Sequence, residues 1–253
     1  FSVVAPTLRP LTLGELLDVA FGLYRSTFAT LLVVAVACHL VPTALSIYLW
    51  RSGRLFEEPL WLAGYVLLAW ILNSIAVAAT TIIVSDAYLG RRTSAGEAFS
   101  RTGPLILNLI AISILSSLLI GLGFLFLVVP GIIVLCGLVL SSVVMVVESP
   151  RRARDAMSRS WELTRGFRGK ILGLLFVTFV LLSVPGIAIG AIWGSVGLGM
   201  ESGGSLVPRV LGEVLQVVIY PYFYTVLTLA YYDLRVRKEG FDLEVLATAM
   251  QPA

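Results

Sequence analysis

Ionisable residues are scarce in this sequence, so the few inside apolar stretches are where any chemistry would have to be done. His39 is the one histidine, and it falls inside the apolar run 28–50. An ionisable group in such a run marks a functional site by default. Glu213 would partner it if both lie at one depth, giving an intramembrane polar site. The competing reading is a neutral imidazole bonded to a backbone carbonyl or interfacial water. One histidine excludes a two-histidine metal site and a histidine proton relay. Cys38 and Cys136 both sit in apolar runs and read as small packing residues, not as a disulfide or metal pair. No P-loop and no Gly-x-Gly-x-x-Gly opening a helix is present. Glu57 and Glu58 are adjacent in a loop, where solvation is the ordinary state. These residues lead us to expect no catalytic site, no metal and no cofactor, and a protein that is not an enzyme.

Three other acids are more telling. Asp86, Glu148 and Asp233 each close an apolar run, and arginines follow each. A carboxylate at a helix C-terminus opposes the helix dipole, so a cation should compensate. The expectation is three equivalent clamps: Asp86 with Arg91 and Arg92, Glu148 with Arg151 and Arg152, Asp233 with Arg235 and Arg237. Ordinary boundary charge is the alternative. The densest charge lies in "SPRRARDAMSRSWELTRGFRGK", residues 149–170, with seven basic and two acidic side chains. Beside an anionic leaflet each basic residue contributes about 1 kcal/mol. Arg151, Arg152, Arg154, Arg159, Arg165, Arg168 and Lys170 are therefore expected to touch lipid headgroups or a protein partner. Trp161 and Met157 would dip into the interface beneath. Nucleic acid is not an expected partner, because the cluster lies within a Debye length of the membrane and carries no binding-fold signature.

The elements that must position these residues follow from composition. The chain is 58% hydrophobic and 13% charged, with mean hydropathy +0.96, against roughly 25% charged in soluble domains. Six apolar segments stand out, at 28–50, 60–87, 105–129, 131–147, 171–194 and 207–232, followed by a tail at 233–253. Residues 104–147 hold no charge, and a bilayer core of ~30 Å takes only ~20 helical residues. That run must be two spans, broken most simply at Pro130-Gly131. The expected fold is an all-α polytopic membrane bundle forming a single integral membrane domain.

The N-terminal segment, the second and fourth loops and the tail hold fifteen of the eighteen Lys and Arg, leaving Arg51, Arg54 and Arg209 on the other side. The basic excess marks the cytoplasmic face, which places both termini in the cytoplasm of a bacterial inner membrane. The first 26 residues lack the order of a cleavable signal peptide. Tyr231 and Tyr232 fit an interfacial aromatic belt.

Short amphipathic helices are expected along the membrane surface before each odd-numbered span. Residues 12–26 show two faces, with Thr12 and Glu15 forming a capping box, as Ser94 and Glu97 do before the third span. Before the fifth, Ser149 is a capping residue and Pro150 suits the first helical position. Ala153, Ala156, Met157, Ser160, Trp161 and Thr164 then form a stripe. "TLGELL" at Thr12 matches "SAGEAF" at Ser94, and "GEAFSRT" matches "RDAMSRS" at Arg154. Val-Pro steps recur at Pro42, Pro130 and Pro185. Together these indicate a threefold internal repeat of surface helix, span, span.

Three stretches, "RPLTLGELLDVAFGLYRSTFATLL", "SRSWELTRG" and "YYDLRVRKEGFDLE", resemble the membrane domain of glycerophosphoryl diester phosphodiesterase, a bacterial multi-span family. The resemblance runs over nearly the whole sequence. In fused members it implies a soluble barrel with catalytic histidines and carboxylates. Residues 233–253 are too few for that barrel, so phosphodiesterase activity is not expected here. What the resemblance implies is the architecture, and a link to membrane lipids or an associated protein. The leading expectation is a scaffold or accessory subunit touching membrane phospholipid and a membrane-protein partner, with 235–250 as a docking segment. The alternative is a transporter, channel or lipid-handling protein, in which Asn73, Asn108, His39 and Glu213 would converge on one path. A third is an enzyme built on a carboxylate–arginine pair such as Glu148 with Arg152.

Overall fold

The computed structural model describes residues 9–52, 58–195 and 206–241. Arg54, Glu57, the Arg209 side chain and the docking segment beyond residue 241 lie outside them.

The chain is all-α among the described residues. Helix α1, Leu13–Arg51, opens on the expected capping box. The Thr12 amide donates to Glu15 Oε2 at 2.8 Å, and the Glu15 amide donates back to Thr12 Oγ1 at 3.4 Å. The separate surface helix at 12–26 is not found. No proline or glycine interrupts the chain between Gly22 and Pro42, so that segment and the first span form one rod of 39 residues. At 1.5 Å per residue the rod is about 58 Å long, and its first turns stand beyond the bilayer core.

Helix α2, Pro59–Tyr88, starts on a proline at its first position, where the missing amide is not needed. Helix α3, Ala95–Thr102, is capped by Ser94 Oγ, which accepts from the Glu97 amide at 3.2 Å. A 3₁₀ turn, Gly103–Leu105, carries it into α4, Ile106–Phe126. Then follow α5 (Val128–Leu138), α6 (Ser141–Val147), α7 (Ala153–Thr164), α8 (Arg168–Ser195) and α9 (Leu206–Glu239).

The α4–α5 hairpin breaks at Leu127 (φ −164°, ψ 153°), three residues before the expected Pro130. Pro130 instead occupies the first turn of α5, where helix amides lack intrahelical partners and a missing one costs little. Gly123 and Gly131 let the two helices touch, since a Cβ on Gly123 would stand 2.9 Å from the Gly131 Cα. Every side chain from Leu125 to Val129 is more than 60% exposed. Five consecutive large apolar groups cannot be left in water at roughly 25 cal/mol per Å². Six stretches are long and apolar enough to cross a bilayer: Leu13–Leu49, Pro59–Tyr88, Ala95–Phe126, Val128–Val147, Arg168–Ala188 and Val210–Glu239. The chain is a multi-pass membrane protein.

Helices α1, α2 and α9 pack pairwise, and α9 also touches α6, α7 and α8. Helix α7 begins at Ala153, not Pro150. The chain turns at Ser149 (φ 47°) and Arg152 is the extended residue before the helix. Its stripe does not dip into lipid. Ala153, Ala156, Met157, Ser160 and Thr164 are buried in the bundle, and Trp161 lies against the backbone of Gly137. A Cβ at Gly137 would sit 2.2 Å from the Trp161 ring, so only glycine admits this contact. Gly166 (φ 87°) supplies the left-handed turn from α7 into α8.

The matched segments occupy equivalent positions. Leu16, Ala98 and Ala156 are each 0% exposed, and four residues on, Ala20, Thr102 and Ser160 are again buried. One i, i+4 stripe is thus buried in all three matched segments.

Candidate functional site

The end of the bundle that carries most arginines is organised around three consecutive residues of α9: Tyr231, Tyr232 and Asp233. They do not form an aromatic belt. Tyr231 is 0% and Tyr232 1% exposed, because their rings lie in the main core of the bundle. Tyr88 packs on Tyr232 with centroids 5.2 Å apart, and Phe241 packs on it at 5.6 Å. Each hydroxyl finds a partner, as buried phenols require. Tyr231 donates to Glu148 Oε1 at 2.9 Å, and Tyr232 pairs with the Ser85 hydroxyl, next to Asp86.

Each of the three acids is tied to one of the three matched segments or to the residues just ahead of it. Asp86 accepts from Thr93 Oγ1 at 2.6 Å and from Arg101 of α3 at 2.5 Å, with Arg91 at 3.4 Å. Glu148 accepts from Arg159 of α7 at 3.1 Å. Asp233 accepts from the Leu11 amide at 2.7 Å, Lys170 at 2.5 Å and Arg237 at 3.0 Å. Arg101 and Arg159 stand at matched positions of "GEAFSRT" and "RDAMSRS". The third contact runs from the last helix back to the residues ahead of the first, so the order closes on itself. Lys170 Nζ and Arg237 also donate to the Leu11 carbonyl, at 2.7 Å and 2.6 Å.

These pairings differ from the expected ones, for reasons of helix geometry. Arg151 and Arg152 lie on the exposed turn before α7 and do not reach Glu148. Arg159, two turns into the helix, faces back toward it. Arg235 is two residues from Asp233, on the opposite side of α9. Arg237 is four residues away, on the same side. Arg235 instead bonds Glu239 at 3.0 Å and lies over the Phe241 ring at 4.2 Å. Arg92 is exposed and makes no ion pair among the described residues.

The basic stretch therefore divides. Arg159 is shared between Glu148 and Glu239, the latter at 2.5 Å. Burial alone would lower its pKa, but the hydrogen bond to Glu239 and the charge of Glu148 outweigh that and hold it above its ordinary value. Arg168 covers the Trp161 ring, 4.1 Å from its centroid. Lys170 is spent on Asp233. Arg151, Arg152, Arg154 and Arg165 are exposed; among the described residues Arg154 pairs only with its neighbour Asp155, at 3.6 Å.

His39 and Glu213 line one groove between α1 and α9. His39 Nδ1 pairs with the Ala35 carbonyl at 2.9 Å, while Glu213 accepts from Thr43 at 3.4 Å. The groove is edged by exposed Val36, Leu40 and Val214, so it opens on the apolar outside of the bundle. Asn73 of α2 does not line that groove. Among the described residues no cluster of three or more His, Cys, Asp or Glu is placed to hold a metal. Cys38 and Cys136 are buried free thiols. The tyrosine hub and the closing contact at Leu11 were not foreseen; a polar-edged tyrosine pair beside a carboxylate was the available signal. Against known proteins, no family model matches the chain and no solved structure matches it.

Proposed function

We propose that this protein is a non-enzymatic scaffold or accessory subunit of a bacterial inner membrane, with both chain ends cytoplasmic. Its basic end meets anionic lipid and a protein partner. One observation carries the reading: the six arginines and Lys170 of 149–170 split into an inward set, in which Arg159 and Lys170 pair with Glu148 and Asp233, and an exposed set of which Arg154 alone has an ion-pair partner, Asp155, among the described residues. Arg151, Arg152, Arg154 and Arg165 share one end with a hub whose own charges are already paired. A fixed platform presenting spare cations suits docking. The resemblance to the membrane domain of glycerophosphoryl diester phosphodiesterase points the same way, toward lipids or an associated protein.

The test is purification from native membranes in mild detergent, comparing the wild type with a variant carrying Gln at Arg151, Arg152, Arg154 and Arg165. A stoichiometric partner that is present in the first and lost in the second supports the proposal. A wild type that retains no partner counts against it. Transport is the second reading, and the groove shared by His39 and Glu213 is its one support. Flux in reconstituted liposomes that His39→Ala abolishes would favour it.

A further inference from the structure

Beside the α2–α3 turn lies a cavity of about 470 Å³, bounded by α1 and the end of α2. Its volume falls in the range of small-molecule sites, ~300–1,000 Å³. The floor is apolar, with Leu23 and Ile83, and the rim holds Ser26, Thr30, Arg91 and Arg92. The charge count at the rim is unbalanced. Asp86 is the carboxylate within reach, and Arg101 already pairs with it at 2.5 Å, closer than Arg91 at 3.4 Å. Arg91 keeps a side chain 66% exposed. Arg92 makes no ion pair, and the Thr30 hydroxyl no hydrogen bond, among the described residues. Arg91, Arg92 and the Thr30 hydroxyl thus line a space that has no carboxylate among its described lining residues.

Depth identifies the ligand's setting. The cavity draws on residues 23–30 of α1 and 83–93 around the end of α2. These bracket the points where both helices pass from polar to apolar sequence, near 28 and 87. Lipid phosphates sit at that level, with glycerol and the first methylenes just beneath.

We infer that this cavity binds a phosphate-bearing anion, the headgroup of an anionic phospholipid, through Arg91, Arg92 and Thr30. Guanidinium groups match phosphate oxygens in geometry and charge, and the apolar floor receives the first acyl methylenes. The inference deepens the lipid part of the proposed function and rests on it. It concerns a different surface from the outward arginines of α7.

The experiment is native mass spectrometry of the full chain in detergent, titrated separately with short-chain phosphatidylglycerol, phosphatidylcholine and inorganic phosphate. Saturable phosphatidylglycerol binding is expected, weakened about tenfold by Arg92→Gln and about threefold by Thr30→Val. Arg51→Gln, at the far end of α1, should leave it unchanged, and both rim variants should keep the wild-type unfolding midpoint. Phosphate binding with the same Arg92 dependence, and no lipid binding, upholds the anion site and assigns it to free phosphate. Equal binding of phosphatidylcholine, or an affinity untouched by Arg92→Gln, overturns the inference. If the four-glutamine α7 variant loses its partner while Arg92→Gln changes nothing, the cavity assignment alone fails.

Discussion

Replacing Asp233 by Asn removes the charge on which Lys170, Arg237 and the Leu11 amide converge. The carboxylate is 1% exposed, while its partners Lys170 and Arg237 are 19% and 27% exposed. Breaking a fully buried pair costs about 3–5 kcal/mol. Here water and the Leu11 carbonyl still serve both cations, so the loss should be about 2–3 kcal/mol. In a chain of this size each kcal/mol shifts the unfolding midpoint by about 2–4 °C. The expected drop is about 4–12 °C, read by intrinsic fluorescence during heating in mild detergent. Lys170→Met added to Asp233→Asn should cost less than the two separate losses combined, because it removes one orphaned cation. Glu162→Gln, on the exposed side of α7, should leave the midpoint within about 1 °C. If Asp233→Asn behaves like Glu162→Gln, the acid is boundary charge and the closed order of contacts stabilises nothing.

Gly137→Ala forces a Cβ into the Trp161 ring and should cost about 1–3 kcal/mol, with a red-shifted tryptophan emission as α7 is displaced. Tyr231→Phe leaves Glu148 to Arg159 without its phenol donor. The loss should be about 1–2 kcal/mol in the same melting assay. Pro130→Ala should change stability by no more than about 0.5 kcal/mol, because Pro130 sits in the first turn of α5. A large effect would move the break back to the proline.

The spans were readable because a bilayer core imposes length and apolarity on any sequence that crosses it. The repeat-closing acids were also readable, since each stands where a helix dipole disfavours it. Their partners were not. Lys170 lies 63 residues from Asp233 and Leu11 lies 222 away, and nothing local selects them. The α7 stripe shows why periodicity alone misleads in a membrane protein. A face built of Ala156, Met157 and Trp161 suits lipid and protein interior alike, and only the glycine opposite, Gly137, distinguishes them. The tyrosine pair misled in the same way, since an amphipathic ring suits an interface or a buried polar junction equally. The 12–26 helix merged with the first span because a two-faced pattern gives way to an all-apolar one without any residue that stops a helix.

The measurement that bears most directly on the account is thiol labelling of intact cells at two introduced cysteines. Ser158→Cys lies on exposed α7, and Ser52→Cys lies just past the far end of α1. The native Cys38 and Cys136 are buried and give little background. With an impermeant reagent, Ser52→Cys should be labelled at once and Ser158→Cys only after the membrane is opened. Labelling of Ser158→Cys from outside, or equal labelling of both, would contradict a protein whose arginine-rich end faces the cytoplasm.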